Sequence, residues 1–172
     1  PAPPVPSRSP PPACPSAALL DTLAAGERVT LKTYVLHQLR EMKREVLAAL
    51  EDVSEDDLRS FEPLDHWPIG WIAEHCTEVA DKLLVLPVRG TRLLTYAVQI
   101  ADWPKRPPQP GDEYPALRDI ESRWTAVCDE AIGFVEGIEE DGAGLSAVYD
   151  GKPYAERILL AVNHTNSHLR SL

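Results

Sequence analysis

Three histidines have the residue type and spacing to do chemistry: His75, and the pair His164 and His168 near the C-terminal end. A four-residue step turns a helix through about 400°, so His164 and His168 share one face, roughly 6 Å apart along the axis. Two neutral imidazoles at that spacing can grip one metal ion, and a third from another helix supplies most of the coordination sphere of a divalent transition metal. Three protein ligands with open positions make a site of the catalytic kind, because a coordinated water or thiol can be deprotonated near neutral pH and exchanged for substrate. Structural sites are normally closed by a fourth protein ligand. Cys76 follows His75 directly. It is turned about 100° from that histidine, nearer the centre of the apolar face, and reads as a small core residue.

The elements that must position these rings are helices. Across residues 20–53, Leu31, Val35, Leu39, Met42, Val46, Ala49 and Val53 step by threes and fours along one stripe, which predicts a long helix with one buried face. Ser54-Glu55-Asp56-Asp57 then reads as a stop followed by a capping signal in which Asp57 reaches back to the cap. Pro68 opens the second helix at its first position, where the missing N–H costs nothing. The stripe of that helix is Ile69, Ile72, Cys76, Val79, Ala80 and Leu83, and Pro87 is expected to end it. His75 falls at the margin of the stripe, beside Trp71 and Val79.

Residues 93–100 read as a short helix, and Pro104-Lys105-Arg106-Pro107-Pro108-Gln109-Pro110-Gly111 cannot be regular structure. The third helix is predicted from Pro115, burying Leu117, Ile120, Trp124, Val127, Ala131, Phe134 or Val135, and Ile138. It stops at the acidic, glycine-rich Glu139-Glu140-Asp141-Gly142-Ala143-Gly144. A turn signal, Val148-Tyr149-Asp150-Gly151-Lys152-Pro153, precedes a fourth helix from Tyr154 to the end. Tyr154, Ile158, Ala161, Thr165, Leu169 and Leu172 form its apolar face, with His164 and His168 at the edge. Four helices with almost no strand pattern predict an all-α four-helix bundle. The long connection between helices two and three can run the length of the bundle, so the expected topology is up-down-down-up. Helices two and three are then parallel and the short-looped neighbours antiparallel.

Composition narrows the function. Residues 1–18 hold eight prolines among small residues and are read as a mobile tail, leaving the bundle domain to residues 19–172. With 17 basic and 27 acidic residues the net charge is -10, the wrong sign for a protein that lives on phosphate backbones or anionic membranes. The apolar run Ile158-Leu159-Leu160-Ala161-Val162 is far short of the roughly 20 residues of a membrane span. The three cysteines, Cys14, Cys76 and Cys128, are too few and too scattered for a disulfide framework, and no secretory signal pattern opens the sequence, so the expected compartment is the cytoplasm.

Other polar residues could serve the site. Arg157 lies on the histidine edge of the last helix, two turns before His164, where a guanidinium would favour an anionic substrate; the plainer reading is a surface pair with Glu156 or Glu78. Glu74 and Glu78 flank His75, and their helix angles make Glu78 the better candidate for a base or for a partner to a ligand's second nitrogen. His37 points away from the stripe of the first helix and His66 sits in a loop, so neither is read as a ligand.

The stretch Trp67-Pro68-Ile69-Gly70-Trp71-Ile72-Ala73-Glu74-His75, followed about ninety residues later by Val162-Asn163-His164-Thr165-Asn166-Ser167-His168, resembles the DinB/YfiT-like superfamily of metal-dependent enzymes. In that family a tryptophan opens the second helix, a histidine follows one to two turns in, and the last helix carries a His-x-x-x-His pair. The resemblance implies an up-down-down-up bundle, often dimeric, with a nickel, zinc or similar divalent ion on three histidines, which here match His75, His164 and His168. It also implies small-molecule chemistry: relatives with assigned activity include bacillithiol-dependent S-transferases and mycothiol-dependent isomerases, in which the metal activates a thiolate. The chain departs from the family's usual Arg-Gly-Gln ending, carrying Leu169-Arg170-Ser171-Leu172 instead. The expected function is thus a metal-dependent transferase or hydrolase, and the competing one a non-catalytic interaction or dimerisation module with a structural metal or none.

Overall fold

Helix α1 (Leu31–Leu50) buries Val35, Leu39, Met42, Val46 and Leu50, every third or fourth residue, as the stripe predicts. The computed structural model describes residues 29–60, 67–96, 113–139 and 142–169. Pro1–Thr30 forms a separate unit of which only residues 29 and 30 are described, and the bundle is built from Leu31–Leu172. The proline-rich tail, His66 and the segment 104–111 lie outside the described residues. The first helix is shorter than the pattern suggested: residues 29 and 30 are not helical, and Leu31, at 49% exposure, stands outside the buried stripe.

After α1 the capping signal works as read. The Ser54 hydroxyl and backbone N–H both donate to the Asp57 carboxylate, and the Asp57 N–H donates to the Ser54 oxygen. A short 3-10 turn, Asp57–Arg59, follows, with Leu58 buried. Helix α2 (Ile69–Ala80) starts one residue later than expected, since Pro68 caps it and its carbonyl takes the Ile72 N–H. Pro87 does not end the helix. A π turn, Asp81–Val85, runs straight into a last helical piece, α3 (Leu86–Arg89), with Pro87 its second residue; the Leu86 N–H bonds five residues back to the Asp81 carbonyl, a widened turn of the kind that takes a proline inside a helix. Gly90, at φ 77°, makes the stop in the left-handed conformation that glycine adopts without strain. The short helix expected over 93–100 does not form in its described part, since residues 93–96 are irregular and the rest lies outside the described residues.

Helix α4 (Leu117–Glu136) buries Ile120, Trp124, Val127, Cys128, Ala131 and Val135. Trp124 is fully enclosed, and its indole N–H donates to the Lys43 carbonyl at 3.2 Å. A one-turn helix, α5 (Ala143–Ser146), leads to a two-residue hairpin of β1 (Val148–Tyr149) and β2 (Lys152–Pro153), and then to helix α6 (Tyr154–Leu169). Asp150 and Gly151 turn the hairpin at φ 45° and 77°, the left-handed pair that suits an Asp-Gly turn.

Pairings between helices fix their directions. Along α1 and α4, Lys32 reaches the Ile138 carbonyl, Arg40 pairs with Glu136 and Lys43 with Asp129, so the two run antiparallel. Glu74 meets Arg123 and Arg89 meets Glu130, so α2 and α4 run parallel. His75 meets His164 while the Tyr154 hydroxyl donates to the Leu84 carbonyl, so α2 and α6 run antiparallel. The result is the expected up-down-down-up bundle. Each of α1 and α2 packs against both α4 and α6. The short-connected pairs, α1 with α2 and α4 with α6, are antiparallel and face each other across the diagonal of the bundle, while α2 and α4 are parallel neighbours.

Candidate metal centre

Most of α2 has no solvent face. Ten of its twelve residues are buried, because the bundle core takes one side while Arg123 of α4 and the segment 92–96 cover another. Its entry is held close: a Cβ at Gly70 would lie 2.9 Å from the Leu58 carbonyl oxygen and 3.1 Å from the Tyr114 ring, so only glycine lets the 3-10 turn and Tyr114 approach. The indole of the next residue, Trp71, lies against the imidazole of His75 one turn further on, with ring centroids 4.9 Å apart and planes 18° from parallel. His75 is 5% exposed.

Helix α6 brings the other two imidazoles from its edge. Tyr154, Ile158, Ala161, Val162 and Thr165 anchor the buried face, and His164 and His168 stand beside it, half-buried. The three rings make a nearly equilateral triangle, with centroids 4.9 Å apart for His75 and His164, 5.0 Å for His75 and His168, and 4.7 Å for the α6 pair. One nitrogen from each ring lies within 4.8 Å of the others, and the Nε2 atoms of His75 and His164 are 3.0 Å apart.

The His75–His164 spacing suits a bound ion. Two nitrogens each ~2.05 Å from one zinc lie about 3.3 Å apart at a tetrahedral angle and about 2.9 Å apart at a right angle. Two ring nitrogens at 3.0 Å must share a proton when no ion is bound, whereas a cation between them accepts both lone pairs. Burial lowers the pKa of His164, aided by the charge of His168, and burial lowers that of His168 too. Rings shifted down from 6.5 are neutral at pH 7, the form that ligates a metal.

Three buried carboxylates run along α2 and its π turn: Glu74, Glu78 and Asp81, at 5%, 0% and 0% exposure. Each has a partner. Arg123 takes Glu74 in a forked pair at 3.1 and 3.2 Å, and Arg92 takes Glu78 at 2.6 Å. Asp81 accepts the backbone N–H groups of Leu93 and Leu94 and the Tyr96 hydroxyl. Burial raises the Glu74 pKa while Arg123 draws it back. The ring of Tyr96 also lies beneath the guanidinium of Arg123, 4.9 Å from its centroid. From sequence, Glu74 and Glu78 stood out only as flanks of His75; their pairing with Arg123 and Arg92 and the role of Asp81 were missed. The signal available was three acidic residues at i, i+4 and i+7 on a mostly apolar helix.

His75, His164 and His168 converge as the sequence suggested. Glu78 lies one turn beyond His75, its charge engaged by Arg92. Arg157 is 7% exposed, and its guanidinium donates to the Tyr149 carbonyl and to Asp150, holding the hairpin. Its anionic partner is therefore Asp150, in place of the Glu156 or Glu78 pairing considered from sequence. Cys76 is a core residue, 2% exposed, and burial pushes its thiol up to about 12. His37 lies on α1, half-buried, outside the cluster. A wide groove of about 710 Å³ between α1 and α4, lined by Arg40, Lys43, Leu47 and Ile132 among others, includes none of the three histidines.

The profile of the DinB superfamily matches residues 38–172. The chain belongs to the DinB superfamily. That match takes in all three histidines and every bundle helix, including most of α1. No curated protein and no solved structure matches this DinB-superfamily chain significantly. No helix among its described residues is long and apolar enough to cross a membrane.

Proposed function

We propose that this chain is a metal-dependent enzyme that holds a divalent transition metal, zinc or nickel, on His75, His164 and His168 and acts on a small molecule. The observation that carries the reading is the convergence of three ring nitrogens within 4.8 Å, from two helices that the fold sets antiparallel. An ion held there supplies Lewis acidity and lowers the pKa of a coordinated water or thiol toward neutrality. The protein contributes the rest. His75 forms a buried wall, while the half-buried His164 and His168 leave room for a small substrate to reach the ion. The reaction class assigned is thiol S-transfer or hydrolysis, with a low-molecular-weight thiol or water as the nucleophile.

The partners of Glu78 and Arg157 support a structural role for both, one fixing the segment after α3 and the other the hairpin before α6. No proton transfer is assigned to either. Metal content by inductively coupled plasma mass spectrometry tests the reading. The expected result is about one equivalent per chain in the wild type and loss in both His75→Ala and His164→Ala. Full metal retained in His75→Ala would show that the ion sits elsewhere.

A further inference from the structure

We infer that Trp71 is a positioning residue for the metal site, acting on the His75 imidazole by ring stacking. The inference rests on the metal reading above and concerns what fixes the ligand. Trp71 and His75 are one turn apart on α2, so they share a face. Their rings are nearly parallel, at 18° and 4.9 Å, whereas His164 and His168 meet His75 edge-on at 63° and 86°. The indole is 3% exposed and cannot swing aside, and the edge of Trp67 packs against it at 4.4 Å. One face of the imidazole is thereby covered. Rotation of that ring out of its plane collides with the indole, leaving its nitrogen edge aimed at the α6 pair, where Nε2 already stands 3.0 Å from that of His164. An electron-rich indole face also favours an imidazole that takes on positive charge when it ligates a cation.

A tryptophan that merely filled space would be replaceable by any apolar side chain at a cost in stability alone. A positioning tryptophan must be replaced by another ring if metal affinity is to survive. The experiment measures the dissociation constants of Ni²⁺ and Zn²⁺ by competition with a chromogenic chelator, beside thermal unfolding of each metal-free protein. It uses wild type, Trp71→Leu, Trp71→Phe and, as a control for lost aromatic packing away from the site, Phe134→Leu, whose ring packs on Tyr154. The expected result is binding weakened about tenfold or more in Trp71→Leu, largely restored in Trp71→Phe, and unchanged in Phe134→Leu. Trp71→Met makes the same test if Trp71→Leu does not fold. Wild-type affinity in Trp71→Leu, or equal weakening in all three variants, would overturn the inference while leaving the metal site intact. Failure of the wild type to bind either ion would overturn the metal reading, and this inference with it.

Discussion

Helices α2 and α6 each supply part of one histidine cluster, yet they are built on opposite plans. Ten of the twelve residues of α2 are buried, against six of the sixteen of α6. A helix enclosed on nearly every side cannot leave its carboxylates to water, and α2 with the π turn after it pairs them with Arg123, Arg92 and the backbone N–H groups of Leu93 and Leu94. His75 is therefore placed by contacts from several directions. On α6 one stripe is anchored and the rest meets solvent, so His164 and His168 are placed mainly by helix periodicity. The difference gives the centre one fixed wall and one accessible side, an arrangement suited to admitting a small ligand.

The contrast can be broken most directly at Asp81. Asp81→Ala leaves the Leu93 and Leu94 N–H groups without their acceptor and the Tyr96 hydroxyl with only the Thr77 carbonyl, and is expected to cost about 2–4 kcal/mol in urea unfolding. Its counterpart at α6 is Glu156, whose ion pair with Lys152 is about half exposed, and Glu156→Ala should stay within about 0.5 kcal/mol. Similar losses at the two positions would show that α2 is no more tightly determined than α6.

Glycine sharpens the same point with a smaller effect. Gly70→Ala forces a Cβ to within 2.9 Å of the Leu58 carbonyl oxygen and should destabilise by about 1–3 kcal/mol, with weaker metal binding because α2 shifts. Gly133 sits in α4 with nothing within 4 Å of such a Cβ, and Gly133→Ala should stabilise by about 0.5–1 kcal/mol. Chemical denaturation of both variants decides the matter, and a stable Gly70→Ala would show the approach to α2 to be slack.

The smallest expected effect lies at the capping box before α2. Hydrogen bonds from the Ser54 hydroxyl and N–H hold the exposed Asp57 carboxyl below its ordinary 3.8. Its pKa is thus lower folded than unfolded, so the contribution to stability is complete above the ordinary aspartate range and is lost as pH falls through the lowered value. The difference in unfolding midpoint between wild type and Asp57→Ala should be present at neutral pH and shrink below about pH 4. A difference that persisted unchanged in acid would remove the charge from the explanation.

Much of this architecture was legible because it follows from local periodicity. The stripe of α1, the buried positions of α4 and the shared face of His164 and His168 need only the 3.6-residue repeat. Helix directions followed from connection lengths. Pro87 misled because a π turn carries the chain past it, and a π turn leaves no composition signature. The pairing of Glu74 with Arg123 joins residues 49 apart in the chain, and nothing local marks them as partners. Trp71 could be placed beside His75 by helix angle, but not face to face, since that depends on side-chain rotation.

By itself, then, the sequence determined that the chain forms a helical bundle, which helix faces are apolar, and that three histidines occupy the margins of two of them. Those properties are set by neighbours within one or two turns. Only the tertiary structure decided that the margins meet, that α2 is enclosed on its polar side as well, and that the acidic stripe is paired and not solvated. The physical reason is that burial and charge pairing are imposed by surfaces distant in the chain, and a helix's own repeat says which side it hides without saying what covers it.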